Sequence, residues 1–178
     1  MKIEELEDYP ALVRLSRTLW KSEGARGAAL MVGAGISRSA ILAADDVPLP
    51  PLWSHLQAAM ASELYPADPN RAPNDALRLA EEYRVYFGQN ALDDFIRGQI
   101  KDTSWAPAAL HQTLLELPWS DILTTNYDTI LERASESVNR AYEPVTCPAD
   151  LARTRAPRIV KLHGSLNQSA PFILAAAD

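Results

Sequence analysis

The chain has one cysteine, Cys147, among 178 residues. That count excludes an internal disulfide and any Cys-x-x-Cys metal site. No apolar run approaches the roughly 20 residues of a membrane-spanning helix, so no membrane insertion is expected. The first residues, Met1-Lys-Ile-Glu-Glu-Leu-Glu-Asp8, mix charges where a secretory signal needs an apolar stretch. A cytoplasmic location is expected. Positive charge is in deficit, with 17 Lys and Arg against 23 Asp and Glu, a net charge of −6 and a pI near 5.1. Such a chain has no overall attraction for phosphate backbones, and no direct nucleic-acid binding is expected. The local exception, Arg153, Arg155, Arg158 and Lys161, has no interleaved aromatics and reads as a solvated loop.

What is present is ordinary globular composition, 47% hydrophobic and 22% charged, enough for one domain over residues 1–178. Leu12, Leu15, Leu19 and Trp20 fall near helical spacing and predict a helix over 8–22. Ala28 to Val32 reads as a buried strand, followed by a glycine turn and a helix from Ser37 to Ala44. Helices are expected at 53–64, 75–87 and 91–100, punctuated by Pro66, Pro69, Pro73 and Gly88. They form a helical insertion over about 52–106. Further on, a helix over 108–117 follows Pro107 and stops before Pro118. Strands are read at 119–125, 143–146 and 158–162, with a helix at 129–137. Three strands end in segments rich in Gly, Ser, Thr, Asn or His. This order predicts an α/β fold with a Rossmann-like parallel sheet, whose ligand site lies beyond the carboxyl ends of the strands.

Gly33-Ala34-Gly35-Ile36-Ser37 occupies the first such end. Its glycines let the backbone approach a pyrophosphate, which a following helix N-terminus favours. The dinucleotide fingerprint expects a third glycine where this chain has Arg38. Nucleotide binding and a plain strand-to-helix turn stand about even on this motif alone. Ser37 reads more readily as a helix cap than as a phosphate ligand.

Three motifs occur in order: Gly33-Ala-Gly-Ile-Ser37, Thr124-Thr-Asn-Tyr-Asp128 and Lys161-Leu-His-Gly-Ser-Leu166. Together they resemble the sirtuin superfamily, and most of all the sirtuin-like domains of bacterial anti-phage defence proteins. The resemblance runs from about residue 28 to the end. It implies NAD as substrate, with Asn126 and His163 acting at the nicotinamide ribose. It also implies NAD contacts from Gly33, Ala34, Gly35, Ile36, Ser37, Thr125, Asp128, Gly164 and Ser165.

Two departures separate the chain from the deacetylases of that family. They carry a four-cysteine zinc module, and only Cys147 is present here, so no zinc is expected. They also show Pro-Asp-Phe-Arg after the glycine turn, where this chain has Pro50-Pro51-Leu52-Trp53. The expected activity is therefore NAD hydrolysis to nicotinamide and ADP-ribose, with deacylation, ADP-ribosyl transfer and NAD sensing without turnover as alternatives. A regulatory partner or appended sensor domain and an oligomeric or hetero-complex state are expected, as is continuation of the fold beyond Asp178.

The chemistry suits the residues. Nicotinamide leaves as an already cationic group, so the site must supply position, a water and electrostatic support. Asn126 offers an amide donor and acceptor. His163 is the candidate base. Asp128 reads as a loop anchor or cap, Tyr127 as core packing, and Trp53 as a packing anchor or a pocket wall. His55 and His111 read as structural, and Asp45-Asp46 as a solvated pair.

Overall fold

A computed structural model describes residues 2–20, 27–168 and 171–172. The elements in chain order are α1 (Tyr9–Leu19), β1 (Ala29–Val32), α2 (Ala34–Ser37), β2 (Ile41–Leu42), α3 (Trp53–Leu64), α4 (Ala76–Phe87) and α5 (Gln89–Gln99). They continue with β3 (Trp105–Ala106), α6 (Ala109–Glu116), β4 (Asp121–Thr124), α7 (Ile130–Ser135), β5 (Glu143–Val145), α8 (Pro148–Leu151) and β6 (Arg158–Lys161).

The main sheet has the order β1-β4-β6-β5, and every pairing is parallel. The Rossmann-like α/β fold expected from the sequence is thus present. The three motif strands are neighbours, with Val32 opposite Thr124 and Thr124 opposite Lys161. Their carboxyl ends therefore open on one edge of the sheet. Alternation sets the faces of β6, where Ile159 and Lys161 are both buried, two residues apart. Leu115 of α6, Leu131 of α7, Ile122 and Ile159 close the core on that sheet. Each such buried side chain contributes about 1.5–3 kcal/mol of transfer free energy.

The helical insertion forms a second cluster around Met60, Leu79, Tyr83, Leu92 and Ile96, which reaches Tyr127, Ile130 and Phe172. Asp75 starts α4 by accepting the Leu77 and Arg78 amides at 2.9 and 3.2 Å. Gly88, at φ 92°, separates α4 from α5, a conformation glycine adopts without strain. The insertion returns to the sheet through Asp102, whose carboxylate accepts Thr129 N–H at 2.8 Å and Thr129 Oγ1–H at 2.7 Å. Asp102 thereby caps α7 from outside it. Arg133 closes the junction by donating to the Trp105 and Asp102 carbonyls.

Three expectations need correction. The helix predicted from Ser37 to Ala44 is instead the single turn α2, which ends at Ser37, followed by β2. Ile41 and Leu42 pair antiparallel with Ala106 and Trp105, and this long-range ladder overrides weak local propensity. Strand β1 is not buried on both faces, since it pairs only with β4 among the described residues and leaves Met31 59% exposed. The basic stretch is not a uniformly solvated loop. Arg158 donates to Asp121 Oδ1 at 2.6 Å across the strand pair, and Lys161 is buried. The predicted N-terminal helix is present, though residues 21 and 22 of its expected span lie outside the described residues, as do Ile173 to Asp178. No helix among the described residues is long and apolar enough to cross a membrane.

Candidate active site

A cleft opens beyond the carboxyl ends of β1 and β4. Ala34 of the glycine turn, Thr125 to Asp128, Pro50, Pro51 and Trp53 line it, with Leu56, Ile100 and Trp105 behind. The insertion and the sheet thus build one site together.

The first two motifs are joined by a chain of buried and part-buried hydrogen bonds. Asn126 Nδ2 donates to the Gly33 carbonyl at 3.0 Å and to Ser37 Oγ at 2.8 Å. Ser37 Oγ in turn donates to Asp128 Oδ2 at 2.8 Å, while Asp128 Oδ1 accepts Ile130 N–H at 3.2 Å. Ser37, 1% exposed, is therefore not the helix cap expected from the sequence but a bridge between the first two motifs. Both oxygens of Asp128 are engaged internally, which is the anchoring role read for it. Asn126 has both amide donors committed, and Oδ1 is the atom it retains for a ligand.

The glycines of the turn are exposed and leave room beside the backbone. Gly33 lies at φ −124° and needs no glycine for its backbone. A Cβ on Gly35 would meet nothing within 4 Å, and one on Gly33 would meet only Thr125 Oγ1 at 3.9 Å. The fold leaves this space open, and the first amides of a helix have no intrahelical partner. A phosphate can approach that backbone closely, although α2 is one turn long and its macrodipole is correspondingly small.

His163 follows β6 on the strand next to β4. Its ring packs edge-on against Trp53, with centroids 5.8 Å apart, and lies 6.1 Å from Tyr127. Its Nδ1 is buried with no hydrogen-bond partner among the described residues. Burial holds its pKa below the ordinary 6.5, so the ring is neutral at pH 7 and able to accept a proton. Trp53 starts α3, packs against the insertion core and lines the cleft. Tyr127 is buried in the core, as read, and its hydroxyl is unpartnered among the described residues. Gly164, at φ 94°, makes the turn after His163, and Ser165 is buried behind it.

Supporting residues surround these groups: His111, read as structural, and Arg38 and Arg97, whose partners the sequence does not announce. His111 is fully buried, with Nδ1 accepting the Ala108 amide and Nε2 3.0 Å from the Ile36 carbonyl. Nε2 carries the hydrogen in this arrangement, and the ring pins the glycine turn to α6. Arg38, where the fingerprint expects glycine, donates to the Pro50 carbonyl at 3.1 Å and so ties the turn to the proline loop. Arg97 donates to the Leu166 and Gln168 carbonyls and lies 4.8 Å from the centroid of the Phe172 ring, holding the segment after the third motif. The remaining readings concern residues outside the cleft. His55 accepts the Leu52 amide at the start of α3, and Asp45 and Asp46 are exposed.

Comparison with known proteins agrees with this architecture. Residues 120–178, which contain β4, the Asn126 loop, β6 and His163, match the family described as SIR2-like domain. The chain is also 29% identical over 161 residues to the NAD(+) hydrolase ThsA of Bacillus cereus (strain MSX-D12). That similarity covers 85% of this chain and 30% of the relative, so the chain spans about a third of the length of the curated relative it matches. The motif strands lie side by side, and the likeness to SIR2-like proteins rests on the match over residues 120–178 and on this relative.

Proposed function

We propose that this chain hydrolyses NAD to nicotinamide and ADP-ribose. The observation that carries the reading is Asn126, which lines the cleft beside Ala34 of the glycine turn with its side-chain amide fixed by two hydrogen bonds. The similarity to a protein named as an NAD hydrolase supports it. In this reading the turn Gly33 to Ser37 and Thr125 receive the phosphates and ribose, and Asp128, Gly164 and Ser165 shape the pocket around them.

The reaction needs no general acid. Asn126 holds a ribose hydroxyl or the water through Oδ1, the one amide atom left free. As the bond from ribose C1′ to the pyridine nitrogen breaks, its electron pair neutralises the departing nicotinamide. Water oxygen bonds to C1′, and neutral His163 takes the proton that water releases. Trp53 and Tyr127 keep bulk solvent from the base by packing against it. NAD depletion in anti-phage defence, under the restraint of a partner domain or assembly, is the biological setting the family resemblance implies.

The test is product analysis on the purified protein with NAD and no peptide. Free nicotinamide and ADP-ribose in equal amounts are expected. Asn126→Ala and His163→Ala should each abolish release while a cooperative unfolding transition persists. O-acetyl-ADP-ribose from an acetylated peptide, or activity within a few-fold of wild type in either variant, would overturn the assignment.

A further inference from the structure

Lys161 ends β6 with its side chain 1% exposed, far below what is usual for lysine. Its Nζ donates to the Asp128 carbonyl and lies 3.0 Å from Glu132 Oε1, itself on α7 just after the Asn126 loop. We propose that Lys161, locked in place by Glu132, is a positioning residue that fixes the Asn126–Asp128 loop by gripping its last carbonyl. The catalytic consequence rests on the NAD-hydrolase reading; the structural one does not.

A contribution to stability alone is a poor account of this pair. Removing two charges from water costs nearly what their attraction returns, and the return requires full hydrogen bonding. Glu132 Oε2 is buried without a partner among the described residues, and burial pushes the Glu132 carboxyl above its usual range despite the lysine. What the pair does secure is geometry. Asp128 is gripped twice, by Lys161 at its carbonyl and by Ser37 at its carboxylate. Asn126 lies two residues before it, with its backbone N–H donating to Thr124 Oγ1 at 3.1 Å. Leu166 N–H binds the Tyr127 carbonyl at 3.1 Å and joins the His163 turn to the same loop. Movement of Asp128 would therefore shift both Asn126 and the glycine turn.

Lys161→Met alone strands Glu132 in the core and is expected to destabilise the protein strongly. The informative variant is the double substitution Lys161→Met with Glu132→Gln, which removes both charges and keeps side-chain volume. Amide hydrogen exchange should show about tenfold faster exchange over residues 126–130, with the insertion helices α3 to α5 unchanged. Nicotinamide release should lose about tenfold in kcat with little change in KM for NAD. Wild-type exchange in the loop of the folded double variant would overturn the proposal. If the double variant does not fold, Glu132→Gln alone is read the same way: faster loop exchange supports positioning, and unchanged exchange refutes it. A wild-type protein that leaves NAD intact while the variant loop loosens would remove the hydrolase reading and leave the positioning role standing.

Discussion

Replacing Ser37 by alanine separates a structural role from a ligand-binding one. The hydroxyl is 1% exposed and makes two hydrogen bonds, donating to Asp128 Oδ2 and accepting from Asn126 Nδ2, each at 2.8 Å. Asn126 Nδ2 keeps the Gly33 carbonyl after the substitution, so its loss is partial. Asp128 Oδ2 loses the Ser37 hydroxyl donor and stays in a buried loop. A hydrogen bond to a charged group contributes about 1.5–3 kcal/mol, and alanine regains a few tenths of that through its helix propensity. The net destabilisation should be about 2 kcal/mol, or a fall in Tm of about 4–8 °C for a domain of this size. Urea unfolding followed by tryptophan fluorescence measures it directly. Ser37→Ala combined with Asp128→Asn should fall short of the summed single effects by about 1 kcal/mol, because the two groups share a bond. A loss below about 0.5 kcal/mol with additive single effects would show that the Ser37 hydroxyl does not bridge the motifs and would leave it free to serve a ligand.

Other perturbations read the remaining features. Gly35→Ala should fold with stability unchanged or raised by up to about 1 kcal/mol, since its Cβ meets open space within a helical turn. The same variant should raise KM for NAD several-fold, and an unchanged KM would show that no phosphate approaches the turn. Gly164→Ala should cost about 1–2 kcal/mol, because φ 94° strains any side chain, while the Phe172 ring 3.5 Å from the added carbon is an ordinary contact. A Tm equal to wild type would contradict that. His163 is held below its ordinary pKa of 6.5 by burial, so the unfolded chain binds more protons between the two values. Its contribution to stability is complete above pH 6.5 and is lost as pH falls through 6.5 toward the lowered folded value. Comparing wild type with His163→Asn from pH 8 to 5 should show a shallower acid decline in the variant, and parallel curves would refute the assignment.

Long periodic segments were legible in the sequence, as was the alternation of elements. The helix expected over 53–64 has those bounds, because Pro51 precedes it and Pro66 follows it. Strands β4 and β6 were readable from apolar runs that end in polar turns. Strands β2 and β3 were not, since two residues have no period and gain their structure only by pairing with each other. Of the residues the three motifs suggested, the cleft is lined by Ala34, Thr125, Asn126 and Asp128, and the motifs did not show how these are held. Asn126, Ser37 and Gly33 meet across long stretches of chain, and no local pattern announces such a bond. Lys161 shows a signal that was available and outweighed. Strand alternation places it on the buried face with Ile159, whereas its neighbours Arg153, Arg155 and Arg158 suggested a solvated charge run.

The hydrogen bonds between the motifs also set an order of events during folding. They join residues 89, 91 and 93 positions apart, so they await the alignment of β1 with β4 across the whole helical insertion. Closing so long a loop is an entropic cost met only when parallel pairing and packing arrive together, and contacts of this range form slowly. The helices of the insertion lie close in sequence and can consolidate earlier. A partly folded chain would then have much of its helix content but no pocket, and ligand recognition would begin only with the last long-range contacts.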